Sequence, residues 1–307
     1  MQFTKMMPVA GLLTGAIVWG LIWYPYRALD HAGVSGALAA TLTYAGAFAL
    51  AAALLCWRQI RPHLSWLLVA IGLSAGWANI GFTLAVIYGD VMRVVLLFYL
   101  APVWTVLFAR LLLNERLTAP GYGLMLLAIT GALVMLWQPQ LGWPLPRSMA
   151  EWIGLSAGIM FALSNVLVRM TARVAIELKV LAVFGGCGAI GSICMLFGSP
   201  APAAWSQVLD QAALLTVLSV VIFSVNVAVQ YGLARVGANR AIVIYLFELV
   251  ITAIAAWLLA DELLTLKEWC GGALIIVAGL LSDRLGVAPE SKPASSACST
   301  APAARPD

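Results

Sequence analysis

Apolar residues run through this chain in long blocks, and the polar positions that interrupt them fall at nearly regular intervals. Ten blocks stand out, at 8–26, 34–57, 65–88, 91–113, 121–137, 151–171, 178–198, 211–232, 240–260 and 268–283. A helix needs roughly 20 apolar residues to cross the hydrocarbon core of a bilayer. The pattern therefore predicts an all-α integral membrane protein with ten transmembrane helices joined by short loops. The breaks are physical: Arg58-Gln59-Ile60-Arg61-Pro62, Pro120, Pro139 with Pro144 and Pro146, and Ser199-Pro200-Ala201-Pro202. The block Pro8–Tyr26 follows Lys5 but is longer than a signal-peptide core of about 7–15 residues. It lacks a convincing cleavage site and reads as the first helix. Residues 286–307, rich in Ala, Pro and Ser without apolar periodicity, read as a disordered cytoplasmic tail.

Composition agrees with lipid as the main solvent. The 307 residues are 63% hydrophobic and 10% charged, with mean hydropathy +0.98. A soluble domain averages about 25% charged residues. The twelve Trp suit membrane–water interfaces. The five Cys (56, 187, 194, 270 and 298) show no CxxC spacing and no nearby His, and read as small packing residues. No basic block forms a nucleic-acid footprint. The sequence calls for no cofactor and no metal; its expected partners are membrane lipid and a small-molecule substrate.

Charge placement orients the chain. If the helices alternate, one side carries Lys5, Arg58, Arg61, Arg110, Arg116, Arg169, Arg173, Lys179, Arg235, Arg240, Arg284, Lys292 and Arg305. The other carries Arg27, Arg93, Arg147 and Lys267, four cations against thirteen. This bias places both termini in the cytoplasm of an inner (plasma) membrane protein.

The chain also repeats itself. At a shift of 147, residues 79–118 lie over 226–265 with ten identities in forty. The polar matches carry most weight: Asn79 over Asn226, Arg93 over Arg240, Thr105 over Thr252, Glu115 over Glu262 and Thr118 over Thr265. A shift of 142 sets Arg27 over Arg169 and Thr14 over Ser156. Two units follow, 1–138 and 151–285, each of five helices. An odd number makes the second half cross the membrane in the opposite sense. Inverted repeats are the architecture of alternating-access transporters, whose sites lie near the midplane between the halves.

Asn114-Glu115-Arg116-Leu117-Thr118 after helix 4, Asp261-Glu262-Leu263-Leu264-Thr265 after helix 9, Tyr99-Leu100-Ala101-Pro102-Val103, and Trp19-Gly20 together resemble the pattern of EamA-type members of the drug/metabolite transporter superfamily. The resemblance covers nearly all of the chain outside the tail. It implies two five-helix EamA repeats and, commonly, export of amino acids or other metabolites. The second half departs from the pattern, with Glu248-Leu249 where the first has Ala101-Pro102.

Candidate chemistry is sparse. Glu248 is the one carboxylate well inside a predicted span, so it must face the bundle interior and find a partner or a proton. It could carry a proton, hold a substrate ammonium group, or be a satisfied structural residue. Tyr245, Glu248 and Thr252 share one helix face at i, i+3 and i+7. Asn79 with Thr83 and Asn226 with Gln230 form polar stripes that the repeat superposes, lining either a wet cavity or a helix contact. Ser164 and Asn165 are adjacent on helix 6 and can add one lining residue. Trp19, Trp77 and Trp104, with Tyr99, are aromatic lining candidates; packing is the alternative for each. Trp23 and Tyr26 share the Trp19 face. Pro102 should kink helix 4. Glu115 and Glu262 end their helices where the macrodipole disfavours an anion, which calls for a cap or an Arg partner.

Three matches to catalytic motifs fail on context. Gly72-Leu73-Ser74-Ala75-Gly76 and Gly154-Leu155-Ser156-Ala157-Gly158 match GxSxG, but the only His residues, His31 and His63, lie in predicted loops. Both also read as GxxxG packing motifs. Gly186–Gly191 matches GxGxxG inside an apolar helix. No Walker-type motif appears, so ATP is not the energy source within this chain. The leading expectation is a secondary exporter that is not an enzyme. A membrane receptor or scaffold is the alternative, and an integral-membrane enzyme a weaker one.

Overall fold

The computed structural model describes residues 3–61, 65–89, 91–136, 145–197, 205–259 and 265–281. Span 1 is α1 (Phe3–Leu21) with α2 (Trp23–His31); span 2 is α3 (Gly36–Trp57); span 3 is α4 (Trp66–Tyr88). Span 4 is α5 (Val91–Phe98) with α6 (Ala101–Leu112), and span 5 is α7 (Ala119–Leu136). Span 6 is α8 (Met149–Met170) and span 7 is α9 (Ile176–Phe197), followed by the short α10 (Trp205–Asp210). Span 8 is α11 (Ala212–Leu233), span 9 is α12 (Ala238–Tyr245) with α13 (Phe247–Leu259), and span 10 is α14 (Leu266–Leu280). Nine stretches among the described residues are long and apolar enough to cross a membrane. The tenth helix, α14, has 15 described residues and packs along α7.

Local chemistry sets several starts. Ser65 accepts the Leu68 N–H at 3.3 Å to open α4, and Ser148 accepts the Glu151 N–H at 3.3 Å to open α8. Thr265 and Glu268 form a reciprocal capping box at α14. Leu107, Leu111, Leu126, Val217, Leu258 and Leu280 are exposed; on helices of this length, exposed apolar faces are faces turned to lipid.

Packing follows a rule of exchange. Span 3 packs on spans 6 and 7, and span 8 packs on spans 1 and 2. Span 4 packs on span 6, and span 9 on span 1. Spans 2 and 7, 4 and 9, and 5 and 10 each pack on their own counterpart. Swapping the two halves converts this set of contacts into itself, as a two-fold axis requires. The direction of that axis is readable too. Gly131 lies against Gly271 and Ile275, and Met135 against Gly271, so α7 and α14 run antiparallel. An axis along the membrane normal would leave equivalent helices parallel. The repeat is therefore inverted, with the axis in the membrane plane.

The glycine motifs that mimic catalytic signatures are packing surfaces, Gly72 and Gly76 against Gly186, and Gly154 and Gly158 against Val94 and Phe98. A side-chain carbon at Gly76 would lie 2.5 Å from the Gly186 carbonyl oxygen, and one at Gly186 would fall on the Gly72 carbonyl. Only hydrogen at these positions lets α4 and α9 touch backbone to backbone.

Some sequence expectations shift. Span 1 continues to His31, which ends a helix rather than sitting in a loop. Tyr26 N–H still bonds Ile22 O at 3.4 Å, so the polar segment 27–31 extends the helix beyond the apolar block. Spans 1, 4 and 9 are broken rather than continuous. His63, Asp261, Glu262, Leu263, Leu264, Cys298 and the tail 286–307 lie outside the described residues.

Candidate functional site

The breaks in spans 4 and 9 fall at equivalent places. Span 4 is interrupted at Tyr99 and Leu100, span 9 at Leu246; the repeat shift of 147 sets Tyr99 over Leu246. Pro102 offers no N–H in span 4, and the backbone there closes as Leu100 N–H to Leu97 O at 3.3 Å and Val103 N–H to Leu100 O at 3.0 Å. Span 9 has no proline, yet Leu249 N–H also bonds three residues back, to Leu246 O at 3.1 Å. Span 1 turns at Ile22. Gly20 brings it close to span 9, since a side-chain carbon there would sit 3.0 Å from the Glu248 carbonyl oxygen.

Glu248 lies in the first turn of α13, where the positive end of the half-helix favours an anion. The Tyr99 side chain of span 4 faces it across the interface between spans 4 and 9. Aromatic rings surround this pair. Trp19 meets Tyr245 edge-on with centroids 6.1 Å apart, and Tyr245 meets Phe161 at 5.7 Å. Phe161 meets Phe98 at 5.4 Å, and Phe98 meets Tyr99 at 5.5 Å and Phe82 at 4.6 Å. Trp19, Tyr99, Phe161 and Glu248 are half-buried while Tyr245 is buried. These groups keep partial exposure near the breaks in spans 4 and 9. Span 6 comes close because a side-chain carbon at Gly158 would lie 2.5 Å from the Phe98 carbonyl oxygen.

The polar stripes stand on the flanks of this centre. Asn79 accepts from the Tyr44 hydroxyl at 2.8 Å and donates to Ala75 O at 2.8 Å. Thr83 donates to Asn79 O at 2.9 Å, and Trp77 donates through Nε1 to Ser156 Oγ at 2.9 Å. The counterpart stripe closes on itself, with Gln230 donating to Asn226 at 3.4 Å. Asn226, Gln230 and Asn165 are buried. Asn165 Nδ2, Trp104 Nε1 and Gln230 Oε1 are buried with no hydrogen-bond partner among the described residues. Thr252 donates back to Glu248 O at 2.8 Å, so its hydroxyl is spent on its own helix.

Both ends of the bundle carry polar links between the halves. At one end Asn114 adopts a left-handed φ of +55°, and the Glu115 N–H closes onto Ala109 O at 3.1 Å. Asn is among the few side chains that take this conformation readily. The turn aims Glu115 at the start of α12, where it accepts the Ala238 N–H at 3.1 Å. Arg169 approaches the same carboxylate at 3.6 Å and donates to Ala234 O at 2.7 Å. The compensation that the sequence demanded for Glu115 is thus a cap and an Arg together. The buried Lys179 Nζ contacts Val168 O, at the last turn of α8, at 3.4 Å. At the opposite end Arg93 grips Glu151 with two bonds, at 2.9 and 3.0 Å, and donates to Leu145 O at 2.8 Å.

Sequence reasoning passed over Phe82, Phe98, Phe161, Tyr44 and Glu151. Phenylalanines inside apolar helices look like any core residue. Glu151 had a readable signal, an acidic residue three after Ser148 at a helix start.

The fold has counterparts. The EamA-like transporter family profile matches residues 6–137 and again 148–282. A comparison with curated proteins finds no match. A protein of known crystal structure superposes with a TM-score of 0.71 at 16% sequence identity, covering 90% of this chain and 96% of its own. At that identity the likeness shows a shared fold.

Proposed function

The chain belongs to the EamA-like transporter family, and from that premise we propose that it is a secondary exporter of small metabolites, a class that includes amino acids, working by alternating access. The family consists of membrane transporters, and the chain is a multi-pass membrane protein. The observation that carries the finer reading is the meeting of broken spans at Glu248 and Tyr99, between halves related by inversion. Discontinuous helices at the interface of inverted repeats are where such carriers bind.

In this reading Glu248, Tyr99, Tyr245 and Trp19 touch the substrate. Trp104, Asn165, Asn226 and Gln230 extend the lining toward one end, and Trp77, Asn79 and Thr83 form its flank. The Glu115–Arg169 and Arg93–Glu151 links hold opposite mouths and open in turn. The protein sits in the inner membrane with both termini in the cytoplasm, as the distribution of cations supports.

The test is flux. Purified protein in proteoliposomes loaded with a panel of labelled amines, amino acids and other small metabolites is expected to release at least one faster than protein-free vesicles. In inverted membrane vesicles the same solute should accumulate. Protein-free rates for every solute, from protein that stays monodisperse, would defeat the reading.

A further inference from the structure

Resting on the transporter reading, we propose that the substrate is a small organic ammonium ion with an apolar, preferably aromatic, body and no carboxylate. Three observations support it. First, Glu248 has no cationic partner among the described residues: the ion pairs there are Arg58–Glu177, Arg93–Glu151 and Arg169–Glu115. Its carboxyl faces the neutral Tyr99 side chain, so in the membrane interior it is matched either by a proton or by an incoming cation that displaces one. Second, the surroundings are rings. The faces of Trp19, Phe161 and Tyr245 attract a cation through their quadrupoles and disfavour an anion. Third, a carboxylate carried beside the ammonium would stand next to the Glu248 carboxylate itself, which is in no ion pair among the described residues. Arg240 lies on the same span but eight residues before Glu248, roughly 12 Å along a helix.

Two of the buried donors without a partner among the described residues refine the far end of the ligand. Trp104 Nε1 and Asn165 Nδ2 lie five residues beyond Tyr99 and four beyond Phe161. They can bond a neutral oxygen such as a phenol, but they supply no counter-charge. An arylalkylamine meets all these requirements.

Three probes isolate the features: tyramine, L-tyrosine (which adds the carboxylate) and 4-ethylphenol (which lacks the ammonium). Calorimetric titration of the purified full-length protein is expected to show tyramine binding about 10- to 100-fold more tightly than either, the range of a lost bond to a charged group. Glu248→Gln should bring tyramine down to the level of 4-ethylphenol. Tyrosine or 4-ethylphenol equalling tyramine, no binding of tyramine, or a monodisperse Glu248→Gln protein that keeps its preference would each overturn the assignment. Flux separates the two readings: tyramine bound but never moved would sink transport and leave the ligand class. Zwitterions moved by a protein that ignores tyramine would sink the ligand class and leave transport.

Discussion

At the scale of single residues, Glu248 is the centre of the account. The carboxylate can hold one positive charge at a time, so a substrate cation and a proton compete for it, with Tyr99 and Tyr245 as its neutral neighbours. Glu248→Gln should therefore abolish any effect of an imposed pH gradient on flux in proteoliposomes. Flux that still follows the gradient in a folded variant would remove the residue from coupling. Trp104→Phe keeps the ring and deletes an unpartnered indole N–H. It should weaken tyramine binding and spare phenethylamine, which has no phenol to bond. The expected loss is about 0.5–1.5 kcal/mol, an ordinary hydrogen bond; equal effects on both amines would return Trp104 to packing. The position of Glu248 was legible in the sequence, because a lone carboxylate inside an apolar block is conspicuous. Its partner was not, since Tyr99 and Glu248 are 149 positions apart. The same holds for Asn79 and Tyr44, and for the phenylalanines, whose role comes from neighbours on other helices.

At the scale of elements, the breaks and the end links matter most. The apolar blocks showed where helices cross the membrane, and Pro102 marked one interruption. The interruption in span 9 has no residue-level signature, and only the repeat points to it by placing Leu246 opposite Tyr99. The Asn114-Glu115 motif was readable as needing compensation, and the φ of Asn114 with the cap on Ala238 explains its form. Glu115 is nearly buried beside a part-exposed Arg169 at 3.6 Å, a modest pair. Glu115→Gln should shift the equilibrium toward the state open at that end by about 1 kcal/mol, roughly fivefold. A cysteine at Asn165 should report this as faster labelling from that face, and an unchanged rate would make Glu115 a helix cap and nothing more. Gly186→Leu, by contrast, should prevent α4 and α9 from touching and yield protein that aggregates on extraction, seen by size-exclusion chromatography. A monodisperse Leu variant would contradict the backbone contact.

At the scale of the whole molecule, the sequence pattern carried the architecture far: ten apolar blocks, a repeat offset of 147 and an odd helix count already imply inversion. The exchange of contacts between halves and the antiparallel pairing of α7 with α14 supply what one-dimensional pattern cannot, the direction of the axis. The distribution of cations predicts the orientation in the membrane. In a cysteine-free background, Arg147→Cys should react with an impermeant thiol reagent on intact cells and Arg173→Cys should not; the reverse would invert the topology. Alternating access itself is tested most directly at the midplane. Phe161→Cys, in the same background, is to be labelled by an impermeant maleimide in right-side-out and in inverted membrane vesicles, each with and without Glu115→Gln. The account predicts labelling from both faces, with Glu115→Gln raising the rate from the cytoplasmic face and lowering it from the other. Labelling from one face alone, or rates that rise together on both, would contradict a carrier that exposes one site to each side in turn.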